Sequence, residues 1–221
     1  MKRIEKLFNY PITPKAVLNL MKIILASQSP RRKKLLEQLG LTFEVIPSSI
    51  NEDISGFEPP AFVEELALQK AQDVATSLHK CLVIGADTIV VLDGEILGKP
   101  SNHIEASQML SKLSSKTHSV FTGVAFVQAD KINNNNRTHV FSVETKVTFG
   151  TLASNEIDAY VATGSPMDKA GSYGIQDDWG AVFVEGINGD YNNVVGLPIY
   201  KFYQELKSFA PEALKNLVLP H

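Results

Sequence analysis

The 221-residue sequence predicts an α/β fold, a mixed sheet flanked by helices, and three observations carry that prediction. The short apolar run Ile23-Ile24-Leu25 suits a parallel strand covered on both faces. Phe141, Val143, Thr145, Val147 and Phe149 alternate as a half-exposed strand does. Phe62, Val63, Leu66, Leu68, Ala71, Val74, Ala75 and Leu78 recur instead at helical spacing. The length suits one good-sized domain, or two lobes sharing a sheet, and neither an internal repeat nor a clear linker divides it.

Residues 1–20 form an N-terminal extension that is basic at first. It has neither a long apolar stretch nor a small-residue cleavage site, so it does not read as a signal peptide. It is either a peripheral extension or an over-called start before Met21. From Lys22 the chain gives a strand, the small-residue turn Ala26-Ser27-Gln28-Ser29, and a helix opening at Pro30, whose fixed φ suits the first helical position. Phe43 to Ile46 reads as a second strand, and Pro47 to Pro60 as a loop holding the acidic pair Glu52-Asp53. A helix is expected from Ala61 to Leu78, then a strand from Cys81 to Leu92 interrupted by Gly85-Ala86-Asp87-Thr88. Asp93-Gly94 marks a hairpin turn, so Glu95 to Gly98 should pair back and bring Lys99 near the level of Asp87.

His103 to Leu113 reads as a helix, and Ser119 to Gln128 and Thr138 to Phe149 as strands joined by a polar tip at Lys131–Asn136. Ser154 is expected to cap a helix reaching about Thr163. The glycine-rich polar stretch Asp168 to Gln176 should line a site. A strand at Ala181 to Ile187, a turn at Asn188-Gly189-Asp190 and a helix from Pro198 to Phe209 close a domain spanning 21–210, leaving 211–221 as a tail.

Composition narrows the function. Hydrophobic residues make up 44% and charged residues 20%, near the soluble average, and a net charge of -3 gives no global attraction to nucleic acid or an anionic membrane. Any basic site must be local, which suits a small polyanion. No segment approaches the apolar length of a membrane span. A single cysteine, Cys81, rules out an internal disulfide and points to a reducing cytoplasm.

Within that frame the turn before Pro30 is an anion site in outline. Free amides at a helix start, the positive end of its dipole and the hydroxyls of Ser27 and Ser29 all favour phosphate or carboxylate. Arg31 and Arg32 oppose the dipole there, so they ask for an external anion, and guanidinium forks match phosphate oxygens. Taken alone, the stretch fits a capped helix with two solvated arginines equally well. Asp87 decides more: an unpaired carboxylate in an apolar strand is costly, so it should face a cleft, a metal or a partner. Adding Lys70, Lys99 and Glu52 gives what phosphate chemistry needs, cations for substrate oxygens and carboxylates to hold a divalent metal or take a proton from water. The five histidines show no metal-ligand spacing, so the expected ion is a hard one, Mg²⁺ or Mn²⁺.

Five motifs, in order, resemble one known family: Ser27-Gln28-Ser29-Pro30-Arg31-Arg32, Gly85-Ala86-Asp87-Thr88, Gly98-Lys99-Pro100, Asp168 to Gln176, and Gly189-Asp190-Tyr191 with Gly196-Leu197-Pro198. They look like the Maf family of nucleoside triphosphate pyrophosphatases, from about Met21 to Phe209. The resemblance implies hydrolysis between the α- and β-phosphates with a divalent metal. It also implies an elongated, twisted sheet in two lobes around a deep cleft, an inosine triphosphatase-like fold, often as a homodimer. By matching position it makes Asp87 the general base and Glu52 a second acidic group, both able to hold metal. Arg31, Arg32, Lys70 and Lys99 would hold phosphates with Ser27 and Ser29. Tyr173-Gly174-Ile175-Gln176 resembles the branch acting on dTTP and UTP, where the positions of Arg31, Thr88 and Gln176 bear on specificity. An amide at Gln176 can both donate to and accept from the O4/N3–H edge of a pyrimidine. Asp177-Asp178-Trp179 departs from the glycine-rich sequence expected there. Two alternatives stand beside this reading: a pyrophosphatase for a methylated guanine nucleotide, 7-methyl-GTP, which Gln176 disfavours, and a non-catalytic nucleotide-binding regulator of cell division.

Overall fold

The structure is a computed structural model that describes residues 21–52, 56–129, 136–176 and 178–217. The N-terminal extension, Asp53, Asp177 and nearly all of the expected polar tip lie outside the described residues.

Strand β1 (Lys22–Leu25) leads into helix α1 (Pro30–Gln38), with Pro30 in its first turn and Ser29 as the cap. After β2 (Glu44–Val45), helix α2 (Pro59–Ala75) begins two residues earlier than its apolar spacing suggests, because Pro59 and Pro60 fit a first turn. Strands β3 (Cys81–Leu92) and β4 (Glu95–Leu97) make the expected hairpin. Then come α3 (His103–Leu113), β5 (Thr117–Ala129), β6 (Arg137–Phe149) and α4 (Ser154–Ala162). Ala153, not Ser154, takes the cap position of α4, and Glu156 accepts the Ala153 N–H at 2.8 Å. Residues Asp178–Ala181 wind a 3-10 turn, so β7 is shorter than expected, Val184–Asn188. A short helix that the sequence reading did not anticipate, α5 (Tyr191–Val195), is capped by Asp190 and precedes α6 (Ile199–Phe209). Part of the expected tail is packed: Pro211–Asn216 form a 3-10 helix with Ala213 buried, and Leu217 bridges Leu41.

Seven strands form one sheet in the order β2-β1-β3-β5-β6-β7, with β4 also on β3. β1 is parallel to β2 and β3, and every other pair is antiparallel. Two cores flank it. One face is covered, among the described residues, by α2, whose small side chains Ala67, Ala71 and Ala75 share a core with Ala125 and Ala129 of β5. The other buries Leu36 of α1, Leu110 of α3, Tyr160 of α4 and Phe202 of α6 against Ile84, Val124 and Phe126.

Two glycines explain how close α2 lies. A Cβ at Gly85 on β3 would overlap the Ala67 carbonyl oxygen, and one at Gly123, the partner of Asp87 on β5, would overlap the Val63 carbonyl. Helix backbone thus rests directly on the sheet.

β3 is paired along one whole edge with β5, but its other edge is shared. β1 accompanies it up to Ile84, and β4 takes over at Val90. Among the described residues Gly85 to Ile89 therefore have no strand partner on that side. The expected interruption of the strand at Gly85–Thr88 does not occur in β3, which runs on unbroken; it occurs in its neighbours, and the gap they leave is the cleft.

Candidate active site

A cleft of about 650 Å³ opens at that gap. Its wall draws on the turn after β1, the loop before α2, the middle of β3, the Gly98-Lys99 corner, the Asp168–Gln176 stretch and Gly196. Among the described residues five cations and three carboxylates line it, an excess of two positive charges in a chain of net charge -3.

Alternation along β3 sends Asp87 and Thr88 to opposite faces of the sheet. On the α2 face, Lys70 reaches down from the helix and places Nζ 2.6 Å from Asp87 Oδ1 and 2.8 Å from Glu52 Oε1. Lys70 and Asp87 are 8% and 7% exposed, so this is a buried pair with a second, half-exposed carboxylate on its rim. Burial pushes the Glu52 carboxyl up, but the hydrogen bond and charge of Lys70, with Lys99 and Arg32, outweigh it and hold Glu52 below the ordinary value.

On the opposite face Arg32 is fixed at three points. Nε donates to the Gly196 carbonyl at 2.9 Å, Nη1 to Ser27 Oγ at 3.2 Å and Nη2 to Thr88 Oγ1 at 2.9 Å. Burial lowers the pKa of this guanidinium from a value so high that it stays charged. Behind it, Thr88 Oγ1 shares a 3.0 Å hydrogen bond with Thr122, whose hydroxyl lies 2.8 Å from the Asn193 carbonyl. Arg31 points to the other wall, where Nη1 donates to Asp168 Oδ2 at 2.7 Å. Lys169, 7% exposed, donates to Asp168 Oδ1 at 2.8 Å. Burial raises the Asp168 carboxyl, yet the bonds from Lys169 and Arg31 bring it below its usual range.

A model of the family described as Maf-like protein matches residues 22–209. The chain belongs to the Maf-like protein family. A relative from Bacillus cereus (strain ATCC 10987 / NRS 248), named dTTP/UTP pyrophosphatase, is 53% identical over 192 residues, covering 86% of this chain and 91% of its own. One of the same name from Agathobacter rectalis is 50% identical over 201 residues, covering 85% of this chain and 97% of its own. Among solved structures, the Staphylococcus aureus Ham1 protein aligns at a TM-score of 0.35 and 18% identity, over 57% of this chain and 72% of that chain. The fold assignment rests on the Maf-like family match and on the sheet itself.

All ten residues singled out from the sequence line this Maf-like cleft: Ser27, Ser29, Arg31, Arg32, Glu52, Lys70, Asp87, Thr88, Lys99 and Gln176. Their partners differ from expectation in two respects. Lys70, expected on phosphate, shares its ammonium between two carboxylates, and Arg31 finds an anion within the chain at Asp168. Ser29 Oγ accepts the Arg32 N–H at 3.4 Å and Ser27 Oγ accepts the Ser29 N–H at 3.2 Å, so each hydroxyl keeps its own O–H to donate.

Other participants carried weaker signals. The Asp168-Lys169 pair sat in a stretch expected to line a site, whereas Thr122 and Asn193 had no local signature. Glu52 and Asp87 converge on one cation, which fits Mg²⁺ or Mn²⁺ held by two carboxylates and completed by substrate phosphates. Among the described residues no group of three or more His, Cys, Asp or Glu could hold a metal by itself, and no helix is long and apolar enough to cross a membrane.

Proposed function

We propose that the protein hydrolyses dTTP and UTP to the nucleoside monophosphate and pyrophosphate, with Asp87 as the base that activates water. The observation that carries the chemistry is the Asp87–Lys70–Glu52 cluster facing a cationic cleft. Water opens the α–β anhydride and gives its proton to Asp87, and pyrophosphate leaves with the electrons of the broken P–O bond. Lys70 aims the Asp87 carboxylate, its ammonium 2.6 Å from Oδ1 fixing the side chain at the cleft. Arg32, Lys99, the Ser27 and Ser29 hydroxyls and the start of α1 balance the phosphate charge, with Arg31 joining them from Asp168. A divalent metal held by Glu52 and Asp87 would supply further charge neutralisation at the phosphates.

The base preference is supported by the Bacillus and Agathobacter relatives and by Gln176 on the cleft wall. Working in the cytoplasm as a homodimer completes the reading.

The test is release of monophosphate and pyrophosphate from a nucleotide panel with Mg²⁺ or Mn²⁺, beside Asp87→Asn. Turnover of dTTP and UTP, lost on chelation and cut about 10²–10⁴-fold by the substitution with binding intact, supports the proposal. Preference for a methylated guanine nucleotide overturns the base assignment. Binding without turnover of any nucleotide overturns the hydrolase.

A further inference from the structure

Glu52 sits on a loop, so its meeting with Lys70 needs something to hold that loop. The holder is on α2 itself. Ser48 Oγ and the Ser49 N–H both donate to Asp73 Oδ2 at 2.9 Å, and Ser49 Oγ lies 3.5 Å from the same oxygen. Ile50 N–H then donates to Ser48 Oγ at 3.3 Å, closing the turn just before Glu52. Asp73 follows Lys70 by three positions, so the two project from neighbouring points of one helix face. The loop is gripped twice by the same helix, at Ser48-Ser49 by a carboxylate and at Glu52 by an ammonium.

We propose that Asp73 is a positioning residue that anchors the Ser48–Glu52 loop to α2 and so sets Glu52 against Lys70 at the cleft. It touches neither substrate nor reacting atoms and acts only through the loop. The bond from Ser49 N–H, then that from the Ser48 hydroxyl, holds its carboxyl below the usual value, as expected for a carboxylate serving as anchor. The consequence for turnover rests on the hydrolase reading above; the anchoring does not.

Two measurements separate them. Hydrogen exchange of the intact chain should show Ser49–Glu52 amides exchanging about tenfold faster in Asp73→Ala, with α2 amides unchanged and Asp73→Asn, which keeps an oxygen acceptor, in between. In nucleotide hydrolysis, Asp73→Ala should lower kcat about tenfold with KM within about twofold, and should add little in a Glu52→Gln background. Unchanged loop exchange overturns the anchor, and an equal kcat loss in both backgrounds overturns action through Glu52. If the wild type turns over no nucleotide triphosphate, the hydrolase reading fails, and the exchange result alone decides for or against the anchor.

Discussion

Replacing Gly85 by alanine sets two physical effects against each other. In the middle of a strand, alanine should stabilise by about 0.5–1 kcal/mol over glycine through backbone entropy alone. Here the added methyl would overlap the Ala67 carbonyl and stand 3.0 Å from Ala71 Cβ. Carbon atoms settle at about 3.5–4.0 Å, so even the milder contact requires α2 to withdraw by roughly 0.5–1 Å. Overpacking of that size costs about 1–3 kcal/mol, and at about 2–4 °C per kcal/mol for a chain this long the melting temperature should fall by roughly 2–12 °C. Function should fall further than stability. Lys70 lies one turn beyond Ala67 and holds Asp87 at 2.6 Å, and misplacing a catalytic contact by about 1 Å can cost about 10²-fold. The assay is differential scanning calorimetry with pyrophosphate release measured well below the melting temperature. A variant as stable as wild type, or more so, would refute the close-packing argument. One that melts early but turns over at the full rate would refute the link between α2 and the Asp87 geometry.

Arg32→Lys retains the charge but loses the fork that meets Gly196, Ser27 and Thr88 at once, so KM for the nucleotide should rise about 10–100-fold; an unchanged KM would mean that charge alone matters. Thr122→Val removes a buried hydroxyl from the chain between Thr88 and Asn193 and should cost about 1–3 kcal/mol in denaturant unfolding, whereas a neutral result would show that the network is not stabilising. His118 is 2% exposed, and burial lowers its pKa from 6.5 to about 4. The unfolded chain therefore takes the proton first: stability is full above about pH 6.5 and falls as the pH drops toward 4, by about 2 kcal/mol between pH 7 and pH 5. His118→Gln should flatten unfolding free energy over that interval, and an unchanged slope would assign the loss elsewhere.

What could be read from the sequence follows from how local each cause is. β3 and α3 appeared with the bounds they have, because the Cys81–Leu92 run and the apolar spacing after His103 are local patterns. Pro30 and Ser29 marked the start of α1 for the same reason. Asp87 was conspicuous as a carboxylate that needed an explanation, but its partner was not, since Lys70 meets it only because Gly85 and Gly123 let a helix rest on the sheet. The short helix Tyr191–Val195 was hidden by Asn192 and Asn193, which are poor helix formers; it exists because Asp190 caps it and Asn193 is buried against Val120 and Thr145. Likewise β7 loses its expected start to a 3-10 turn in which Gly180 fits against the Tyr160 hydroxyl of α4 as well as nearby Gly174, and single-sequence patterns do not reveal the contact with α4.

An unpaired strand edge is ordinarily a hazard, since its bare N–H and C=O groups invite another chain to add a strand and begin aggregation. The bare stretch of β3 runs only from Gly85 to Ile89 and is recessed between the end of β1 and the start of β4. An extended polypeptide cannot lie along so short and sunken an edge, but a small molecule can reach it. The molecule can thus offer main-chain hydrogen bonds to a ligand while giving its neighbours no template, and a substitution that lengthened the gap by shortening β4 would trade that protection away.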